Sequence, residues 1–344
     1  MDFGLFIPCH RFDASISVKE LYGQVLEMVA LADEAGFTTA WFPEHHLVQY
    51  YASPSPLMWM VKAAAHTRRI RVGAAILVIP YYNPLRLAGE IGMADVLCDG
   101  RLEIGVGRGA FEYEFDRFGI TEAIGAARLR EGMEIVEGLL TQDDFSYEGT
   151  TCSFGPATAV PKPLQQPHPP IWVAARSPDT IAWALRRGYN LLTTPWRDPF
   201  SRIQKHHEQV TQIAAAVGAS KSPTLAVSRM TYVGETDGDA LEAMADIQVS
   251  HRIFMRLFRN EAHVKGGFTL PEPVDDEYSR EQLLTNLVAG SPQTCVEKVR
   301  AYEQLGINQF ILYGAFGPDH SRTMASLRRF AEQVMPHFRK GTPS

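Results

Sequence analysis

Four short clusters in this 344-residue chain combine residue types that can do chemistry. Pro43-Glu44-His45-His46 places a carboxylate and two imidazoles directly behind the apolar run TAWF (39–42). On an extended backbone side chains alternate, so one histidine is expected to serve a site while the other packs or caps. An imidazole there can act as a general base near neutral pH. Metal binding is not expected, because adjacent histidines lack the i, i+4 spacing of helical zinc ligands and no matching Asp/His set ends the other runs. Gly105-Val106-Gly107-Arg108-Gly109 allows close approach of backbone to a ligand and offers a guanidinium fork suited to phosphate. It lacks the Gly-Lys-Ser/Thr ending of a P-loop, and a turn requiring positive φ would look the same. In Ala175-Arg176-Ser177-Pro178-Asp179-Thr180, Ser177 is a helix N-cap with Pro178 in the first turn. Such a cap stands on structural grounds alone, but its free N–H groups and the Ser177 and Thr180 hydroxyls also suit an anion. A phosphate held between this cap and Arg108 would use both clusters. Finally, Gly73-Ala74-Ala75 leaves room against a strand for something flat, or marks a bulge.

These clusters sit at the ends of apolar runs that must be strands: 2–7, 39–42, 70–78, 102–106, 171–175, 190–193, 224–233 and 309–313. The runs are apolar on both faces, as in a parallel sheet covered on both sides. Between them helical patterns cover 18–35, 83–100, 122–140, 178–187, 199–217, 237–262, 292–305 and 320–337. Trp59 and Met60 read as core. Eight β–α units without a low-complexity linker favour one (β/α)8 TIM barrel, a single domain over 1–344, above a doubly wound sheet. Two stretches break the rhythm, about 141–170 and 263–291. The second lies between strands seven and eight, where it is a lid candidate or a surface excursion. Strand ends also supply substrate-pocket candidates: His10, Arg11, Tyr81, Tyr82 and Trp196, with His251, Arg252 and Phe254 nearer the second insertion.

Composition narrows the class. The chain carries 33 Lys+Arg against 39 Asp+Glu, a formal net charge of -6, and 45% hydrophobic residues. This is the make-up of a folded enzyme; it disfavours disorder, nucleic-acid binding and anionic membrane surfaces. No run is apolar enough to span a bilayer. The N-terminus has no signal-peptide pattern, and the four scattered cysteines read as free thiols, so a cytoplasmic location is expected.

The ordered motifs GFTTAWFPEHH, VGAAILVIPYYNPLRLAGE, DGRLEIGVGRGAFEYEFDRFG, PIWVAARSPDT and GSPQTCVEKV resemble the bacterial luciferase-like flavin-dependent monooxygenases. The resemblance runs from residue 1 to about 200 and returns at the last β–α unit, and it implies the barrel. It also implies a two-component enzyme. Reduced FMN would come from a separate NAD(P)H-dependent flavin reductase and react with O2 to a C4a-peroxyflavin, which oxygenates a small organic substrate. On that resemblance Arg108, Ser177 and Thr180, with Arg128 and Ala175, hold the cofactor. Ala74-Ala75 carries a non-proline cis peptide beside the flavin ring, and His45 with Glu44 is catalytic. The substrate pocket would include His10, Tyr81 and Trp196. Family habit implies a homo-oligomer, dimer or tetramer. Luciferase itself has a reactive cysteine where this chain has Gly107, so light emission is not implied. A deazaflavin-dependent hydride transfer and a catalytically idle flavin-binding barrel are the alternatives.

Overall fold

Eight parallel strands close on themselves: β1 (Asp2–Phe6), β2 (Thr39–Phe42), β3 (Arg71–Ala74), β4 (Leu102–Gly107), β5 (Ile171–Ala174), β6 (Asn190–Thr193), β7 (Leu225–Val233) and β8 (Gln309–Tyr313). Each pairs with the next, and β8 pairs back onto β1 with Asp2 opposite Gln309 and Phe6 opposite Tyr313. The computed structural model describes residues 1–219, 222–317 and 319–338. This is the (β/α)8 barrel expected from the alternation of strand and helix patterns.

The helices are α1 (Val18–Ala35), α2 (Pro56–Ala64), α3 (Pro84–Leu97), α4 (Glu112–Phe118), α5 (Glu122–Thr141), α6 (Pro178–Arg186), α7 (Phe200–Val217), α8 (Asp237–Phe258), α9 (Arg280–Asn286), α10 (Pro292–Gln304) and α11 (His320–Arg329). Ser17, Ser55, Asn83, Thr121, Ser177, Thr236, Ser279, Ser291 and Asp319 each accept a backbone N–H at a helix start. Such caps are worth about 1 kcal/mol each. The last helix is shorter than its pattern implied, giving way at Phe330 to a π-turn and a 3-10 turn.

Inside the barrel Trp41, Trp172, Leu192, Ala226 and Ile311 form a plug. The Trp41 indole N–H donates to Gln309 Oε1 at 3.1 Å and that of Trp172 to Glu103 Oε2 at 2.6 Å, so neither ring is buried with an unpaired donor. A Cβ on Gly73 would overlap the Trp41 ring. The small residues in the third run thus make room for an indole inside the barrel.

That third run, expected as one strand over 70–78, is broken. Arg71–Ala74 and Leu77–Val78 both pair with β4, and between them the chain bulges. The cis bond lies at Ala75–Ile76, one peptide beyond the expected Ala74–Ala75. Side chains on β4 would collide with the bulge: a Cβ on Gly105 would overlap the Ala74 carbonyl, and one on Gly107 the Ile76 side chain. Two of the glycines in the Gly105–Gly109 cluster therefore accommodate neighbouring backbone and side chain.

The insertions do different things. Residues 141–170 hold an antiparallel hairpin, Phe145–Glu148 with Ser153–Ala157, on the helix-to-strand side of the barrel, away from the strands' carboxyl ends. Residues 263–291 hold a short hairpin, α9, and the strand Val288–Gly290, which extends the sheet beside β7. The acidic part of this segment binds the outer face of α8: Arg252 forms a bidentate pair with Glu277 at 2.7–3.0 Å, and Arg259 reaches Asp276 at 3.3 Å. Arg256 lies 3.7 Å from Glu272. The spacing 252, 256, 259 is one stripe of a helix.

Candidate active site

At the strands' carboxyl ends a cavity of about 1280 Å³ opens, lined from all sides of the barrel. It exceeds the pocket of a single small ligand. Ala75 and Ile76, on the bulge, reach into it. Its walls divide by chemistry: Arg108, Arg130, Arg176, Ser177 and Thr180 gather at one side, and Phe6, Tyr51, Trp196, Phe254, Phe258 and Tyr313 furnish aromatic surface.

The two histidines part as alternation requires. His45 borders the cavity, its ring sandwiched between Tyr51 and Phe111 with both centroid distances 4.2 Å. Its Nδ1 lies 3.0 Å from Glu114 Oε1, which also accepts the His46 backbone N–H at 2.8 Å. A carboxylate facing Nδ1 fixes the proton there and leaves Nε2 as the basic nitrogen. Glu114, from α4, is 1% exposed, and no pattern in the sequence marks it. His46 turns away and pairs with Glu44 at 2.9 Å. Glu44 also touches the cavity, but it accepts Val78 N–H at 2.8 Å and the Tyr82 hydroxyl at 2.9 Å. Burial pushes its carboxyl pKa up, against the pull of those donors. Both Glu44 oxygens are engaged, so it locks His46 and the bulge while bordering the cavity beside His45.

At the cationic side Arg108 reaches Glu122 Oε1 at 2.6 Å, both side chains being open to solvent. Ser177 caps α6, accepting Thr180 N–H at 3.3 Å and donating to Thr180 Oγ1 at 2.9 Å. Ala175 lines the cavity beside them. Ala74 lies just beneath, fully buried at the end of β3. Arg128 is placed differently from the expectation: it donates to the Pro80 carbonyl at 3.2 Å and borders no part of the cavity. Arg130 does border it, on the α5 face shared with Ala126 and Leu129. The donor set suits a phosphate, and the exposed face of Ala75–Ile76 a planar ring, so the residues present fit FMN.

At the aromatic side Trp196 lines the cavity against Phe254, ring centroids 3.9 Å apart. Its backbone is left-handed, φ 53°, and its carbonyl is held by the fully buried Arg229 at 2.9 Å. Arg229 also donates to the carbonyls of Asp198 and Asn286, and no carboxylate among the described residues forms an ion pair with it. His10 and Tyr81, expected in the pocket, are not on this cavity. His10 lies behind Tyr313, its Nε2 3.0 Å from the Tyr313 hydroxyl, which in turn meets Tyr51 at 3.0 Å. Burial holds the His10 imidazole well below its ordinary pKa. Tyr81 stacks on Phe118 at 4.4 Å. Arg11 holds Gln49 and Arg252 holds Glu277, whereas His251 and Phe254 face the cavity from α8. Nothing from 263–291 lines the cavity; the segment braces the helix that does. Among the described residues no three His, Cys, Asp or Glu side chains converge on a metal site, and no helix is long and apolar enough to cross a membrane.

Comparison with known proteins identifies the family and the fold. The model of the luciferase-like monooxygenase family matches residues 1–309. The oxygenase component of the flavin-dependent trigonelline monooxygenase of Acinetobacter baylyi is 32% identical over 98% of this chain and 96% of its own. Two solved structures share the fold. One is the oxygenating constituent of 3,6-diketocamphane monooxygenase of Pseudomonas putida in complex with FMN, with a TM-score of 0.80 and 22% identity over 98% of each chain. The other is the coenzyme F420-dependent tetrahydromethanopterin reductase of Methanopyrus kandleri, with a TM-score of 0.75 and 20% identity over 98% of this chain and 99% of that one. With a family model spanning nine-tenths of its length and a relative of this identity end to end, the chain belongs to the luciferase-like monooxygenases.

Proposed function

We propose that this chain is the oxygenase of a two-component system that takes up reduced FMN and oxygenates a small ring-bearing organic substrate. The observation that carries the reading is the division of one cavity into a phosphate-binding side and an aromatic side, with His45 bordering it. When bound, reduced FMN supplies the electrons with which O2 is split, one oxygen atom going to substrate and the other to water.

The chain's own residues do the rest. Arg108, Arg130 and Arg176 bind the phosphate with the Ser177–Thr180 helix start, where free N–H groups and the dipole favour an anion. Ala75 and Ile76 seat the ring. Tyr51, Trp196, Phe254 and Tyr313 exclude water, which would otherwise discharge activated oxygen unproductively. His45 accepts or returns a proton at Nε2, while Glu114 holds Nδ1 and thereby the orientation of the ring.

Partners follow from the same reading. A separate NAD(P)H-dependent flavin reductase would deliver the reduced cofactor, in line with the oxygenase-component name of the Acinetobacter relative. Met58 on α2, Met93 and Leu97 on α3, and Val160 and Leu164 beside them are exposed apolar residues on one flank, which supports a homo-oligomer, dimer or tetramer. A cytoplasmic location fits the four free thiols.

Stopped-flow mixing of the protein and photoreduced FMN with oxygenated buffer tests the activity. A transient absorbance that outlasts the oxidation of free reduced FMN is expected. Oxidation at the free-flavin rate, together with tight binding of reduced F420, would replace this reading with hydride transfer by a deazaflavin.

A further inference from the structure

Two cavity-lining side chains among the described residues are buried with every polar atom unpartnered, Trp183 on α6 through its single indole N–H and His251 through both ring nitrogens; only His251 can both donate and accept. It is 2% exposed, and neither Nδ1 nor Nε2 has a hydrogen-bond partner in the protein. Buried polar groups are almost always paired, because an unmade hydrogen bond forfeits the solvation that burial removed. His251 shares its inward helix face with Phe254, Met255 and Phe258, at spacings of three, four and seven. An apolar residue would continue that face at no such cost, so the missing partner is to be sought in what the cavity binds.

The position says which occupant. The phosphate donors come from β4, α5 and the start of α6, whereas His251 comes from α8, with Trp196 beside it at a centroid distance of 6.1 Å. The charges around it are unequal. Arg197 borders the cavity and is paired with Asp276 at 2.6 Å, and Asp276 is shared with Arg259. Glu277 is taken up by Arg252. Arg229, which holds the backbone of Trp196, donates to carbonyls and lies behind Trp196, outside the cavity lining. Burial, with Arg197 next, lowers the His251 pKa to about 4, so near neutral pH the ring is uncharged and carries one N–H donor and one acceptor.

We propose, building on the oxygenase reading, that His251 is the polar recognition residue for substrate, donating its N–H to the carboxylate of a planar ring compound that lies against Trp196 and Phe254. The neutral imidazole gives the hydrogen bond, and Arg197, the charge that acts most strongly on His251 and the member of its ion pair that borders the cavity, gives the sign. A non-reacting probe set separates the contributions: benzoate, benzamide and toluene share the ring and differ in charge and polarity.

Ligand-observed NMR titration of the wild type, His251→Phe and His251→Gln with each probe tests this, alongside the dissociation constant for FMN. The wild type should bind benzoate more tightly than benzamide. His251→Phe should weaken benzoate tenfold or more, leave toluene unchanged or tighter, and leave FMN unchanged, while His251→Gln should recover part of the benzoate affinity through its amide N–H. His251→Phe should also melt no lower than the wild type, since it removes two unpaired buried atoms. Equal benzoate binding by wild type and His251→Phe, absence of probe binding to the wild type, or a general collapse of the variant's stability would overturn the proposal. Loss of FMN binding by the wild type itself would instead strike at the oxygenase reading, because the probe titrations need no flavin.

Discussion

The two sides of the cavity recognise their occupants by opposite means. At the cationic side Arg108 and Glu122 face solvent and satisfy one another, so on the proposed reading a phosphate would exchange one partner for another. Exposed pairs of this kind contribute about 0–1 kcal/mol, and the exchange is cheap. At the aromatic side the polar atoms are few and buried, and those of His251 have no partner. There the occupant must supply hydrogen bonds that the protein cannot make for itself. One side is tuned by charges that can be traded, the other by groups already stripped of water.

The sharpest break of that comparison is His45→Ala. It should cut product formation roughly 100- to 10,000-fold, the usual range for a general acid–base group. FMN affinity, measured by fluorescence titration, should stay put; a parallel loss of FMN binding would mean that His45 belongs to the cofactor. Arg108→Ala should do the converse, weakening FMN by about 1.5–3 kcal/mol, or roughly 10- to 150-fold, with little change in turnover at saturating flavin. An unchanged dissociation constant would remove Arg108 from the phosphate site.

Acid should expose the buried imidazoles. Unfolded, His251 takes a proton near its ordinary pKa of 6.5, whereas folded it does so only near 4. Between these values the unfolded chain binds more protons, so stability falls as pH drops through that window. His10, also held low by burial, acts in the same direction. Melting temperature against pH should therefore slope less steeply for His251→Phe than for the wild type; parallel slopes would place the acid sensitivity elsewhere. The smallest effect is that of Glu122→Gln. Freeing Arg108 from its carboxylate should tighten FMN roughly two- to fivefold, the scale of one exposed ion pair, and weaker binding would show Glu122 to be organising the site rather than competing for it.

The barrel was legible because its strands are short, apolar on both faces and separated by well-capped helices. Break points were less so. The third run is apolar from Val72 to Val78, and nothing in its hydrophobicity marks a bulge; the small Gly73-Ala74-Ala75 and the glycines of β4 do, but only to within one peptide. Arg128 and Arg130 differ by two residues, about 200° around a helix, so the choice between them turns on helix phase. Burial of Leu129, Met133 and Val136 sets that phase, and Ala126, Leu129 and Arg130 then meet the cavity. Glu114 is not marked out by the sequence, because it lies 69 residues from His45 on a seven-residue helix with no strong pattern of its own. Its acidity within the motif DGRLEIGVGRGAFEYEFDRFG was visible; that it would be 1% exposed was not.

One helix, α8, faces both ways. Its inner side supplies His251, Phe254, Met255 and Phe258 to the cavity, and its outer side is strapped through Arg252, Arg256 and Arg259 to the acidic stretch of the insertion. Exchanges at Glu272, Asp276 or Glu277 therefore shift a wall of the cavity without replacing any residue that borders it. An insertion is also the part of a barrel most tolerant of change in length and sequence. Divergence in this lineage would thus have a route to new substrates that leaves the cationic side, and the histidine with its carboxylate, untouched.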